Sequence, residues 1–112
     1  MRVAALALLW VALGVALGVA LAAPALAQDA AAGRAKAAAC AVCHGPLGLS
    51  SAPDAPHLAG QPAMYVAAQL RAYRSGARKH EVMAVIARPL SDEDIANIAA
   101  WFASIRVEAN AP

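Results

Sequence analysis

The sequence is short of the residues that usually fill a core or charge a surface. Its 112 residues include two Trp, two Tyr and one Phe, and only 14% are charged. So few aromatics exclude a large, well-filled hydrophobic interior. A formal net charge of +2 without a long basic run argues against a nucleic-acid surface. Two cysteines, Cys40 and Cys43, are too few for a disulfide framework. A zinc site recruiting His57 and His80 would need a second close-spaced ligand pair, and there is none. No acid–base or nucleophile constellation is present, which argues against an enzyme acting alone.

Much of the hydrophobicity lies at the front. Met1 and Arg2 give a positive start, and residues 3–23 are an unbroken apolar run. Pro24 and Ala25-Leu26-Ala27 follow, a helix breaker and a small-x-small cleavage pattern. This order is that of a secretory signal peptide, expected to span residues 1–27 and to direct residues 28–112 to the periplasm. The run is also about 20 residues long, enough to cross a bilayer, so contact with a membrane is expected only if the leader stays attached. The remaining chain, about 85 residues, is of a size at which a hydrophobic core alone is marginal. It needs a staple.

Cys40-Ala41-Val42-Cys43-His44 supplies one. Cys-x-x-Cys-His is the attachment motif for a c-type haem. Two thiols at this spacing reach the two vinyl groups on one porphyrin edge. The imidazole that follows at once is carried to the iron as an axial ligand. A thioredoxin-type dithiol would need a preceding strand, whereas the segment before Cys40 reads as helix. A disulfide across two intervening residues would close too small a loop to stabilise much.

The rest of the chain reads as helices around a long loop. Asp29 to Ala39 is Ala-rich and helical, with Asp29 at its positive end and Gly33 as a notch for close packing. Residues 44–60 are loop, crowded with Gly, Pro and Ser, and need something to wrap. Pro62 to Arg74 is a second helix closed by Gly76, with Met64, Tyr65, Ala68, Leu70 and Tyr73 on its apolar side. Arg71, Arg74, Arg78 and Lys79 cluster around its end; this is a solvated basic face, or a docking patch for an acidic partner or a propionate contact. Ser91 caps a last helix in a capping box with Asp94. Ile95, Ile98, Phe102 and Ile105 give that helix a core stripe to pack on the first, with Trp101 beside it.

A haem that only transfers electrons has both axial positions filled. Met64, Met83, His57 and His80 are the candidates for the second position. His57 sits among prolines near the attachment motif, and Met64 in the first turn of its helix is expected to fill the core. Met83 lies in a segment free to run across the far face, and a thioether suits iron(II) and raises its potential. Met83 is therefore the expected ligand and His80 its rival.

With these residues in hand, the chain resembles the class I c-type cytochromes, in particular short bacterial monohaem members and single halves of dihaem ones. The ordered segments are Gly33-x-x-Lys36, Cys40-x-x-Cys43-His44-Gly45, Pro56-x-Leu58-Ala59-Gly60-Gln61, Tyr65-x-x-x-Gln69-Leu70-x-x-Tyr73, Gly76-x-Arg78, Met83 ahead of Leu90-Ser91-Asp92, and Trp101-Phe102. The resemblance implies an all-α fold of about four helices around one covalent haem c, with first and last helices crossed. It implies that the Pro56 carbonyl orients His44, that Met83 is the distal ligand, and that Leu58, Tyr65, Leu70, Tyr73, Arg78 and Trp101 pack around the haem. The function it implies is one-electron transfer. The donor would be a dehydrogenase or quinol-oxidising complex, and the acceptor a terminal oxidase or reductase. An alternative role is as the electron-accepting subunit of a larger periplasmic dehydrogenase. The chain departs from many relatives in placing Pro46-Leu47 after the motif, which makes that edge more apolar.

Overall fold

A computed structural model describes residues 28–112, and the expected leader, residues 1–27, lies outside them. The described chain is helical, and no strand occurs within it. Helix α1 (Ala30–Lys36) runs into a 3-10 turn over Ala37–Ala39, then α2 (Ala41–His44), α3 (Ala63–Ser75), α4 (Glu81–Ala87) and α5 (Asp92–Ser104). None of these helices is long and apolar enough to cross a membrane.

The helix ends follow from local chemistry. Asp29 caps α1, its carboxylate accepting from the N–H groups of Ala31 and Ala32. Pro62 stands one residue ahead of α3, as its N-cap, and Gly76 closes that helix in the left-handed conformation at φ 82°. On α5, the Ser91 hydroxyl accepts from the Asp94 N–H and the Asp94 carboxylate accepts from the Ser91 N–H, which completes the capping box.

The core is small. Ala37, Val66, Ala67, Leu70, Ile95, Ile98, Ala99 and Phe102 form one buried cluster. The principal packing is α1 against α5, with α3 covering the other side of α5. Gly33 makes the first contact possible: a Cβ there would stand 1.9 Å from the Asn97 carbonyl oxygen. Asn97 is itself buried, and its side-chain oxygen accepts from the Asp29 N–H at 2.8 Å, tying the start of α1 to the middle of α5. Arg74 ties α3 to the start of α5, donating to the Leu90 carbonyl at 2.8 Å and the Asp92 carboxylate at 2.6 Å.

One expectation needs correction here. Met64 does not fill the core; it is 88% exposed. The buried stripe of α3 is Val66, Ala67 and Leu70, and Met64 lies off it, about 160° from Val66 and about 120° from Leu70 around the helix. The segment holding Met83 forms the two-turn helix α4, which with α1, α3 and α5 makes up the four helices expected, besides the single turn α2.

Candidate functional site

The residues from Cys40 to Phe102 enclose a cavity of about 530 Å³, a size suited to a cofactor. Cys40, Cys43 and His44 line it from α2, Pro56 and Leu58 from the long loop, Tyr65, Leu70 and Tyr73 from α3, and Met83 from α4. Ile98 and Phe102 of α5 close its base.

The attachment motif folds as a tight helical turn because the 3-10 turn feeds directly into α2. The His44 N–H donates to the Cys40 carbonyl at 2.9 Å, and Gly45 then turns the chain away at φ 81°. Cys40 and Cys43 are not joined in a disulfide. Cys40 is partly buried against the core, and this burial pushes its thiol above the ordinary range. Cys43 is exposed. His44 is buried, and its Nδ1 stands 2.8 Å from the Pro56 carbonyl oxygen. A carbonyl can only accept, so Nδ1 carries the proton and donates, which leaves the Nε2 lone pair for a metal.

The loop that carries Pro56 is itself pinned. Leu58 and Ala59 donate to the Gly48 carbonyl, and Gly60 to the carbonyl of Phe102. Ser50 is the hub: its hydroxyl donates to the Cys43 carbonyl at 2.9 Å, and its N–H donates to His57 Nδ1 at 2.8 Å. His57 is thus held by the loop. On the other wall, His80 caps α4, its Nδ1 accepting from the Met83 N–H at 3.3 Å. His80 also lines the cavity but is exposed, whereas Met83 is half-buried and packs on the core.

Trp101 does not line the cavity. On α5 it is offset from Ile98 and Phe102, and the Arg34 guanidinium of α1 lies over its ring, 5.5 Å from the centroid. It belongs to the α1–α5 contact. Sequence reasoning missed the roles of Asn97 and Ser50; a single buried Asn or a half-buried loop Ser carries no periodic signal.

Two thiols one helical turn apart, an imidazole oriented through Nδ1, and a mostly apolar cavity fit a covalently tethered haem in donor chemistry and in space. Such a fold and site define a small all-helical haem-carrying electron carrier. A family model described as Cytochrome c matches residues 29–106, and the chain belongs to that family.

The sequence is 48% identical over 81 residues to cytochrome c-554(548) of Halomonas halodenitrificans, covering 70% of this chain and 98% of that one. It is 50% identical over 78 residues to cytochrome c4 of Pseudomonas aeruginosa, covering 70% of this chain and 39% of the relative. Over 69 residues it is 44% identical to the thiosulfate dehydrogenase electron acceptor of Stutzerimonas stutzeri, covering 59% and 32%. The crystal structure of reduced recombinant cytochrome c4 from Pseudomonas stutzeri superposes with a TM-score of 0.68 at 42% identity, over 71% of this chain and 47% of that one. The chain therefore spans nearly all of one relative and less than half of the others. The protein has the cytochrome c fold, carries haem c on the Cys40 and Cys43 spacing, and is an electron carrier, not an enzyme, that acts with redox partner proteins.

Proposed function

We propose that the protein is a periplasmic one-electron shuttle whose haem is anchored by Cys40 and Cys43 and ligated by His44 and Met83. The observation that carries this reading is that His44, oriented by Pro56, and Met83, packed on the core, line the same apolar cavity. When bound, the haem iron supplies a one-electron change of charge. The chain contributes rigidity and dryness. The Pro56 carbonyl fixes the His44 ring, Leu58, Leu70 and Phe102 exclude water, and α4 holds Met83 by its first turn. Fixed ligands in an apolar wall keep reorganisation small, and a thioether raises the potential relative to a second imidazole. The direct test is the sulfur-to-iron charge-transfer band of the oxidised protein. It should vanish in Met83→Ala and persist in His80→Ala; a band that survives loss of Met83 would refute the assignment.

Export to the periplasm is supported by the order of residues 1–27. Sequencing of protein recovered from a periplasmic fraction should begin at Gln28. As partners we propose a dehydrogenase or quinol-oxidising complex on the donor side and a terminal oxidase or reductase on the acceptor side. A second reading, the electron-accepting subunit of a periplasmic dehydrogenase, has its own support. Leu47 and Leu49 are half-exposed beside the attachment motif, and two relatives are named thiosulfate dehydrogenase electron acceptors. Sedimentation of native protein separates the two, since a monomer under all conditions counts against a subunit.

A further inference from the structure

The carbonyl that aims His44 sits in a segment with few backbone donors. Pro53 and Pro56 have no N–H to anchor the chain around it. The loop is closed at its base, where the N–H groups of Leu58 and Ala59 donate to the Gly48 carbonyl. Above that base the Ser50 N–H donates to His57 Nδ1 at 2.8 Å and bridges the two arms. His57 follows Pro56 directly, so its N–H and the Pro56 carbonyl share one peptide plane. Pinning the His57 ring therefore steadies the oxygen that stands 2.8 Å from His44 Nδ1. From this arrangement we infer that His57 is a positioning residue for His44, and that its protonation makes the redox potential fall as pH rises; the inference rests on the haem reading above.

The chemistry of the bridge sets its response to acid. A backbone N–H can only donate, so His57 Nδ1 offers a lone pair and the neutral ring carries its proton on Nε2. Protonation at Nδ1 turns the acceptor into a donor. Two donors then face each other, and the bridge opens. His57 is exposed, so protons reach it from solvent. The other titratable or charged side chains lining the cavity are His44 from the attachment turn, Asp54 from the same loop, Tyr65 and Tyr73 from α3, Arg78 from the turn after it, and His80 at the cap of α4. Among the described residues the His57 ring bonds to none of these, and its bond is to Ser50. Arg78 donates to Gln69, and His80 accepts from the Met83 N–H.

Two effects of protonation act in the same direction. Without the bridge the Pro56 carbonyl is a looser acceptor for His44 Nδ1, which makes His44 a poorer donor to oxidised iron. A positive charge also arrives on the cavity lining, and it disfavours the oxidised iron. Both favour reduction. Across the titration of His57, uptake of one electron is thus accompanied by uptake of up to one proton from solvent at Nδ1.

The test uses the holoprotein. The midpoint potential is followed from about pH 5 to 8, the range in which an imidazole ordinarily changes charge, in wild type, His57→Asn and His57→Ala. The wild type should show one inflection, with the midpoint falling as pH rises, and both variants should be flat. Hydrogen exchange at the Ser50 amide, corrected for its intrinsic pH dependence, reads the bridge itself. Asn keeps an oxygen for the Ser50 N–H and should hold that amide protected throughout. Ala should lower its protection about five-fold at every pH, the factor for one typical hydrogen bond. The wild type should lose the same protection as pH falls, in step with the His57 ring resonances, which should titrate at higher pH in the reduced protein than in the oxidised one. A flat wild-type midpoint, or Ser50 protection that acid leaves unchanged, would overturn the proposal. So would an inflection that survives in His57→Asn, since it would belong to another group, the haem's own carboxylates included. Should the variants fail to accumulate, the wild-type titration of His57 in the two redox states decides alone, and equal values would overturn the coupling. A wild type lacking covalent haem or the sulfur-to-iron band would instead refute the haem reading, before His57 is reached.

Discussion

The Nδ1 atom of His44 lies 2.8 Å from the carbonyl oxygen of Pro56, twelve residues further along the chain. One hydrogen bond thus couples the attachment turn to the long loop, and through it the ring's second nitrogen is aimed. The loop can hold that carbonyl only if it is itself held. Ser50 does this, since its hydroxyl donates to the Cys43 carbonyl and accepts from the Ala52 N–H.

Ser50→Ala should therefore destabilise the holoprotein by about 1 kcal/mol, the net worth of a typical hydrogen bond. Amide exchange should quicken at Ala52, whose N–H loses its acceptor. Urea unfolding with hydrogen exchange by nuclear magnetic resonance checks both. Unchanged protection at Ala52 would show that the loop is held by other means.

Gly33→Ala should be more damaging than its chemistry suggests. A methyl at this position meets the Asn97 carbonyl at 1.9 Å and the Ile98 nitrogen at 3.1 Å, both backbone atoms that cannot swing aside. α1 must lift from α5, at a cost of about 2 kcal/mol or more. For a domain of this size that lowers the melting temperature by roughly 10 °C. The covalent tether keeps the haem on the chain in both states, so circular dichroism melting reads the fold directly. A melting temperature equal to the wild type would mean that the two helices do not cross as closely as described.

The acid limb of stability should depend on Asp94 and Asp92. Asp94 is held below the usual carboxylate range, first by the Ser91 N–H and then by Lys36; Asp92 is lowered by the hydrogen bond and charge of Arg74. A carboxylate lowered in the folded state stabilises that state above its unfolded value, near pH 4. The contribution is lost as pH falls through the folded value. The double variant Asp92→Asn, Asp94→Asn should thus be less stable than wild type at pH 7. It should also lose less stability on acidification below about pH 4. Parallel acid limbs in the two proteins would contradict this.

What the sequence revealed and what it hid divide along physical lines. The attachment motif was legible because covalent chemistry demands its residues at a local spacing. The Ser91–Asp94 capping box and the Gly33 notch were legible for the same reason: both the cap geometry and the close approach are carried by one or two residue types at known positions. Helix α4 was not. Its apolar residues Val82 and Ile86 line the cavity, and Val85 faces out. Their periodicity thus reports a cofactor wall rather than a packed helix face. Met64 was misplaced because apolar character alone cannot tell which side of a helix meets the core, and Trp101 was assigned to the haem by the resemblance, whereas it packs at the α1–α5 contact under Arg34. The buried Asn97 was invisible, since its value lies in one bond to Asp29, 68 residues away.

The central claim is a closed, six-coordinate haem that passes electrons and binds nothing. Carbon monoxide added to the reduced protein tests it most directly, with Met83→Ala as the open-site comparison. The account predicts that the wild type refuses carbon monoxide over the time in which Met83→Ala binds it fully. Rapid binding by the wild type would contradict the account and mark the protein as a haem with a labile or open site.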